Sequence, residues 1–159
     1  GGGQQRGRRP GTEDVAGAAG MAAALAEATG GMAEASGRVE GLRARLVAGL
    51  SRIEGAQVLG PTDAGARLPG IACVAIEGVD HDPALVLLDE LGICASAGSA
   101  CSAGAVRPSH VLTAMGVGPA LARCALRFSL DALENDEADV DAAVMATAEV
   151  ARRLREVRL

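Results

Sequence analysis

The 159-residue chain is 49% hydrophobic with a mean hydropathy of +0.24, so one packed domain is within reach. It has one Phe and no Tyr or Trp, so aliphatic side chains and Ala must fill that core. All 15 basic residues are Arg, which excludes a Schiff-base lysine or a P-loop lysine within this chain. A net charge of -5 and the missing aromatics exclude a general polyanion surface and a base-stacking reader of single strands.

The chain opens on Gly1-Gly2-Gly3 rather than Met, the start expected of a piece of something longer or of a processed chain. No charged start leads into an apolar run, and no stretch of about 18 apolar residues exists, so neither a signal peptide nor a membrane span is expected. Residues 1–11 are rich in Gly and Arg and read as loop. A first helix is expected from Thr12, a good N-cap followed by Glu13 and Asp14, to about Thr29. Its Ala and Gly content permits close approach of another backbone, and Gly30-Gly31 reads as a break.

A second helix fits Ala33 to Ile53, where Val39, Leu42, Leu46, Leu50 and Ile53 form one apolar stripe. Arg38, Arg43, Arg45 and Arg52 read as its solvated face. Strands are expected at Ala56–Leu59, Ile71–Glu77, Ile93–Ala97 and Cys124–Leu130. A helix should begin at Asp82-Pro83, bury Leu85, Leu88 and Leu91, and end at Gly92. Pro108 to Gly116 is a short helix, and the last helix starts near Asp136 with acidic first turns and basic last turns. This order predicts an α/β fold with a small mixed sheet covered by helices. Residues 1–32 are expected to belong with a large domain that the chain lacks, and residues 33–159 to form a small α/β domain.

Four cysteines are present and none forms a C-x-x-C pair, so a zinc ribbon is not expected, and a reducing compartment suits them better than disulfides. Cys73, Cys94 and Cys124 lie in apolar strand patterns and read as packing residues. Cys101 lies among Ser, Ala and Gly, as an incidental thiol or a nucleophile on a loop would. A nucleophile needs a base or a cation, and Arg107 and His110 are the local candidates, although both also read as surface residues. In Leu126-Arg127-Phe128-Ser129-Leu130, Arg127 shares a strand face with Ser129. There it faces water or clamps a carboxylate bidentately. Thr12 is an N-cap or part of a phosphate-binding helix start. The Gly/Arg opening alone is thin support for an RNA-binding tail.

The residues Gly1-Gly2-Gly3-Gln4-Gln5-Arg6-Gly7-Arg8-Arg9-Pro10-Gly11-Thr12 resemble the characteristic turn of cysteine desulfurases, pyridoxal-phosphate enzymes of the class-V aminotransferase group. Ser96-Ala97-Gly98-Ser99-Ala100-Cys101-Ser102-Ala103-Gly104 resembles their cysteine loop, in the form found in the subgroup serving iron–sulfur cluster assembly and related sulfur transfer. Pro108-Ser109-His110-Val111-Leu112, Met115-Gly116 and Leu126-Arg127-Phe128-Ser129-Leu130 follow in the family's order. The resemblance covers essentially the whole chain and only the C-terminal part of the enzyme. It implies the small domain of a fold-type I pyridoxal-phosphate enzyme.

By resemblance, Cys101 matches the nucleophile that takes the sulfur of L-cysteine as a persulfide and leaves L-alanine. Arg127 matches the residue gripping the substrate carboxylate, and Thr12 the residue reaching the cofactor phosphate of the other subunit of a homodimer. The resemblance also implies a cytoplasmic enzyme with an iron–sulfur scaffold or other sulfur-acceptor protein as partner. No resident metal is expected, although Cys101 could transiently ligate a nascent iron–sulfur cluster. The family's lysine lies upstream of this chain, so the chain alone is expected to be inactive. Asp131 stands where the family has Gly. A stand-alone persulfide carrier, an inactive remnant and a selenocysteine lyase are the competing readings.

Overall fold

The computed structural model describes residues 2–97 and 109–157. The chain divides into two compact units, 1–34 and 35–159. The first holds a left-handed turn and the opening of helix α1 (Val15–Leu50). Among its described residues only Gln4 is even half-buried. Helix α1 starts three residues later than Thr12 suggested, because Asp14 caps it: the Asp14 carboxylate accepts the Gly17 N–H at 2.8 Å. It also runs through Gly30-Gly31. Each helical Gly costs about 1 kcal/mol relative to Ala. That is too little to interrupt flanks of Ala, Met and Glu, and neither glycine takes a positive φ.

The second unit is built on three strands, β1 (Ala56–Leu59), β2 (Ile71–Ile76) and β3 (Ala125–Ser129), in the order β1-β2-β3. The α/β class stands, and among the described residues the sheet is antiparallel throughout rather than mixed. Helices α2 (His81–Glu90), α3 (His110–Ala114), α4 (Pro119–Ala122) and α5 (Glu137–Glu156) complete the unit. No helix among the described residues is long and apolar enough to cross a membrane.

Alternation along the strands separates two faces. Ala72, Val74 and Ile76 of β2 and Leu126 and Phe128 of β3 point inward. They pack with Leu42, Leu46 and Leu50 of α1, Ala84 and Leu88 of α2, and Val140, Val150 and Ala151 of α5. The stripe read from the sequence of α1 is thus the buried one, except that Ile53 lies past the helix end and is half-buried. Arg43 departs from its expected solvated place. It is buried, and its Nε donates to the Ile71 carbonyl at 2.7 Å, tying α1 to the start of β2. Helix α1 also meets α5 closely, since a Cβ at Gly49 would sit 2.5 Å from a Val144 methyl.

Helix ends are set by local chemistry. Asp80, not Asp82, caps α2, accepting the Asp82 N–H at 3.2 Å. At its other end Gly92 N–H bonds Asp89 O, and Ile93 N–H bonds Leu88 O. This Schellman closure needs the positive φ of +77° that Gly92 adopts. The buried face of α2 is Ala84 and Leu88, with Leu85 half-buried, while Leu91 sits at the C-cap and is exposed. The expected strand at Ile93–Ala97 is reduced to one bridge, Ser96 opposite Arg127. Ile93 is already spent in closing the helix. Helix α5 begins with a full capping box, Asp136 with Asp139.

Candidate active site on the outer face of the sheet

The outer face of the sheet is covered unequally. Ala75 and Ala125 lie under Leu112 of α3 and Ala122 of α4, with Leu59, Cys73, Val117, Leu121 and Cys124 packed around them. Further along the same face come Arg127 and Ser129 of β3, the first half-buried and the second exposed. Strand alternation forces this placement: Leu126 and Phe128 are buried inward, so Arg127 must project outward.

Arg127 has a defined surround. In the ladder its partner on β2 is Cys73, whose own partner on β1 is Leu59. On its other side lies Ser96: Arg127 N–H donates to Ser96 O at 2.7 Å, and Ser96 N–H donates to Arg127 O at 3.0 Å. Leu59, Cys73, Arg127 and Ser96 thus form one row across the molecule. Burial pushes the Cys73 thiol pKa up, with the Arg127 charge opposing it, so the thiol stays protonated. A strand paired on one side and bridged on the other holds the Arg127 backbone rigidly, as a guanidinium clamp for a carboxylate requires.

Ser96 is also the last anchored residue before the segment that carries Cys101. Cys101 and Arg107 lie outside the described residues. The chain re-enters at Ser109 and His110, and α3 rests on the outer face through Leu112. One flank of the segment 98–108 is thus paired to the edge of β3 at Ser96, and the other rests on the outer face through Leu112 of α3. His110 is exposed at the first residue of α3.

Thr12 belongs to the first unit and is exposed. Because Asp14 takes the capping role, the Thr12 hydroxyl is not committed to the helix end. Upstream, Gln5, Arg6 and Gly7 take successive positive φ values of 51°, 56° and 75°. Two non-glycine residues in a row in the left-handed region are costly, and such strain concentrates at functional turns.

Of the remaining cysteines, Cys73 and Cys124 pack on the outer-face cluster as expected, and Cys94 does not. Cys94 is exposed, and Cys73 and Cys124 are only half-buried, with Cys124 Sγ donating to Ala120 O at 3.4 Å; all three are free thiols. Asp131 takes no positive φ, so the position has no need of glycine. Its carboxylate accepts Leu133 N–H at 2.6 Å and Glu134 N–H at 3.0 Å, which turns the chain away from β3 and holds the Asp131 pKa below the usual range. Asp80, His81 and Asp82 come within metal-ligand reach of one another. Asp80 is already committed to its cap and to Arg123 at 2.8 Å.

Sequence reasoning missed two neighbours of Arg127. The alternation in Ile71–Ile76 puts Cys73 on the outer face, but nothing in the sequence gives the register that sets it opposite Arg127. The Ser96 bridge uses only backbone groups and leaves no side-chain signature.

Residues 3–143 match the aminotransferase class-V family model. Over 160 aligned positions the chain is 48% identical to an IscS-like cysteine desulfurase of Mycobacterium tuberculosis, covering 100% of this chain and 40% of that protein. It is 38% identical to the cysteine desulfurase NifS of Azotobacter vinelandii, covering 99% of this chain and 39% of that one. The solved structure of a NifS-like protein from Rickettsia africae superposes with a TM-score of 0.79 at 32% identity, covering 94% of this chain and 38% of its own. The chain spans about 40% of the length of these curated relatives. Matched by the family model over residues 3–143, the chain belongs to the class-V aminotransferases.

Proposed function

We propose that this chain is the C-terminal part of a homodimeric, cytoplasmic cysteine desulfurase that moves sulfur from L-cysteine to Cys101 for iron–sulfur cluster assembly or other sulfur transfer. The observation that carries this reading is its end-to-end similarity to proteins named cysteine desulfurase, at 48% identity in one case. In the reaction the substrate Cβ–S bond breaks and a proton replaces the sulfur at Cβ. An S–S bond forms at Cys101 Sγ, and the products are L-alanine and a protein persulfide.

Each residue has a distinct task. Arg127 binds the substrate carboxylate from its rigid strand and so fixes the amino acid at one end. Cys101 presents the thiolate and afterwards carries the persulfide to a scaffold or other acceptor protein. The Thr12 hydroxyl contacts the phosphate of pyridoxal phosphate in the partner subunit, a use that the Asp14 cap leaves open. That cofactor supplies the electron withdrawal that weakens the Cβ–S bond. No lysine is present to hold it covalently, so residues 1–32 would pack with an upstream cofactor domain and residues 33–159 would form the small domain.

The native mass in the source cell, read with an antibody to this chain, tests the reading. A mass more than twice 15.8 kDa is expected, with the lysine-bearing region attached. A mass near 15.8 kDa overturns it in favour of a persulfide carrier or a remnant. Cys101→Ser then separates those two, since only a carrier loses persulfide labelling. The chain alone, supplied with pyridoxal phosphate, should release no alanine from L-cysteine. Alanine release that depends on Cys101 would contradict the assignment of the lysine to a missing region.

A further inference from the structure

We propose that a cavity at the start of β3 binds a small zwitterion, an amino acid or short peptide, with its carboxylate on Arg123 and its ammonium group on Glu77. The site stands apart from the desulfurase reading, since it uses neither Arg127 nor Cys101. Three chain segments meet around it through backbone bonds. Glu77 N–H donates to Gly55 O at 3.0 Å, Ile76 N–H to Cys124 O at 3.1 Å, and His81 N–H to Arg123 O at 2.9 Å. These bonds fix the end of β2, the turn into α2 and the junction of α4 with β3. The cavity between them has a volume of about 450 Å³, within the range of small-molecule sites. Leu121 and Cys124, half-buried in the outer-face cluster, supply its apolar lining.

The pairing of the charged groups names the ligand class. Arg123 Nη2 donates to Asp80 Oδ2 at 2.8 Å, and the other Asp80 oxygen accepts the Asp82 N–H at 3.2 Å. Asp80 is therefore spent on both oxygens and holds the guanidinium in place. The Nε and Nη1 donors of Arg123 have no partner among the described residues. The Glu77 carboxylate is exposed and has none either, because Arg155 bonds only the Glu77 carbonyl, at 3.0 Å. Arg123 and Glu77 thus line one cavity with no ion pair between them, beside the exposed Gln57 amide. A simple anion would meet Arg123 but be repelled by Glu77, and a simple cation the reverse. A zwitterion satisfies both, its carboxylate taking the open guanidinium donors.

The test titrates the 159-residue chain, labelled with nitrogen-15, at fixed pH and ionic strength. The Arg123 Nε–Hε resonance and the backbone amides of Gln57, Glu77 and Cys124 are followed. Glycine and glycylglycine are the probes. N-acetylglycine lacks the ammonium charge, and glycinamide lacks the carboxylate. A saturable response at these resonances to either zwitterion is expected, and the tighter of the two tells an amino acid from a peptide. Each singly charged analogue should bind about threefold or more weakly, the scale of an exposed ion pair. Glu77→Gln keeps the shape and removes the charge. It should bring glycylglycine down to the affinity of N-acetylglycine without weakening N-acetylglycine itself. No saturable response to a zwitterion, equal affinity for zwitterions and analogues, or equal weakening of both ligands by Glu77→Gln overturns the proposal. The analogue series needs no variant, so it decides the question alone should Glu77→Gln fail to fold.

Discussion

The two stretches of helix α1 differ in composition and in their source of stability: residues 15–34 are rich in Ala and carry no Arg, whereas residues 35–50 carry Leu42, Leu46, Leu50 and three Arg. Residues 15–34 are exposed throughout, and Val15, Met21, Leu25 and Met32 remain largely exposed. Residues 35–50 place Val39, Leu42, Leu46 and Leu50 in contact with the core. The first stretch relies on Ala-rich propensity and the Asp14 cap. The second relies on packing, which stabilises most protein helices more than propensity does. Helicity in a sequence therefore says little about which part of a helix is anchored.

Removing a packed side chain should separate the two stretches most sharply. Leu46→Ala removes a fully buried side chain and should cost about 2–5 kcal/mol in the unfolding of residues 35–157. The check is the urea midpoint, with hydrogen exchange of residues 15–34 unchanged. Equal loss of protection in both stretches would break the comparison. Arg43→Leu is the next in size. It leaves the Ile71 carbonyl without its side-chain donor and should cost about 1–3 kcal/mol, again only in the packed unit. Thermal unfolding of the variant reads this directly.

Gly30→Ala acts in the opposite sense. A Cβ there meets nothing, so the exposed stretch should gain about 0.5–1 kcal/mol of helix stability. Slower exchange at residues 25–35 with an unchanged urea midpoint is the expected signature. The smallest effect is electrostatic. Arg67 clasps Glu40 through two bonds of 2.6 Å and holds its carboxyl below the usual range. A depressed carboxylate stabilises the fold above its unfolded pKa, and this contribution disappears as pH falls through the folded value. Glu40→Gln should therefore flatten the acid side of the stability profile and leave its slope near neutrality unchanged.

Much of this was legible in the sequence, for reasons that differ by residue. Periodicity exposed the stripe of Val39, Leu42, Leu46 and Leu50 because burial follows the helical repeat. Alternation set Arg127 outward between Leu126 and Phe128. Asp136 marked the start of α5 because a cap is a local interaction. The errors came where a local signal had a competitor. Thr12 and Asp14 are both good caps, and only the fold selects Asp14. Gly30-Gly31 reads as punctuation but costs too little to break a favourable helix. Arg43 looked solvated because a side chain that bonds a distant carbonyl cannot be recognised from its own helix. The Cys73–Arg127 pair depends on register, a property of two strands far apart in the chain.

The bridge between Ser96 and Arg127 has a consequence for how the site tolerates mutation. Both of its hydrogen bonds run between main-chain groups. Substitution at either position can alter the side chain and leave the bridge intact, with proline the exception because it lacks the donor. The point where the cysteine segment leaves the sheet is thus insulated from sequence drift, and neutral variation can accumulate at 96 without moving it. Within this row of the sheet, the anchor is written in the backbone.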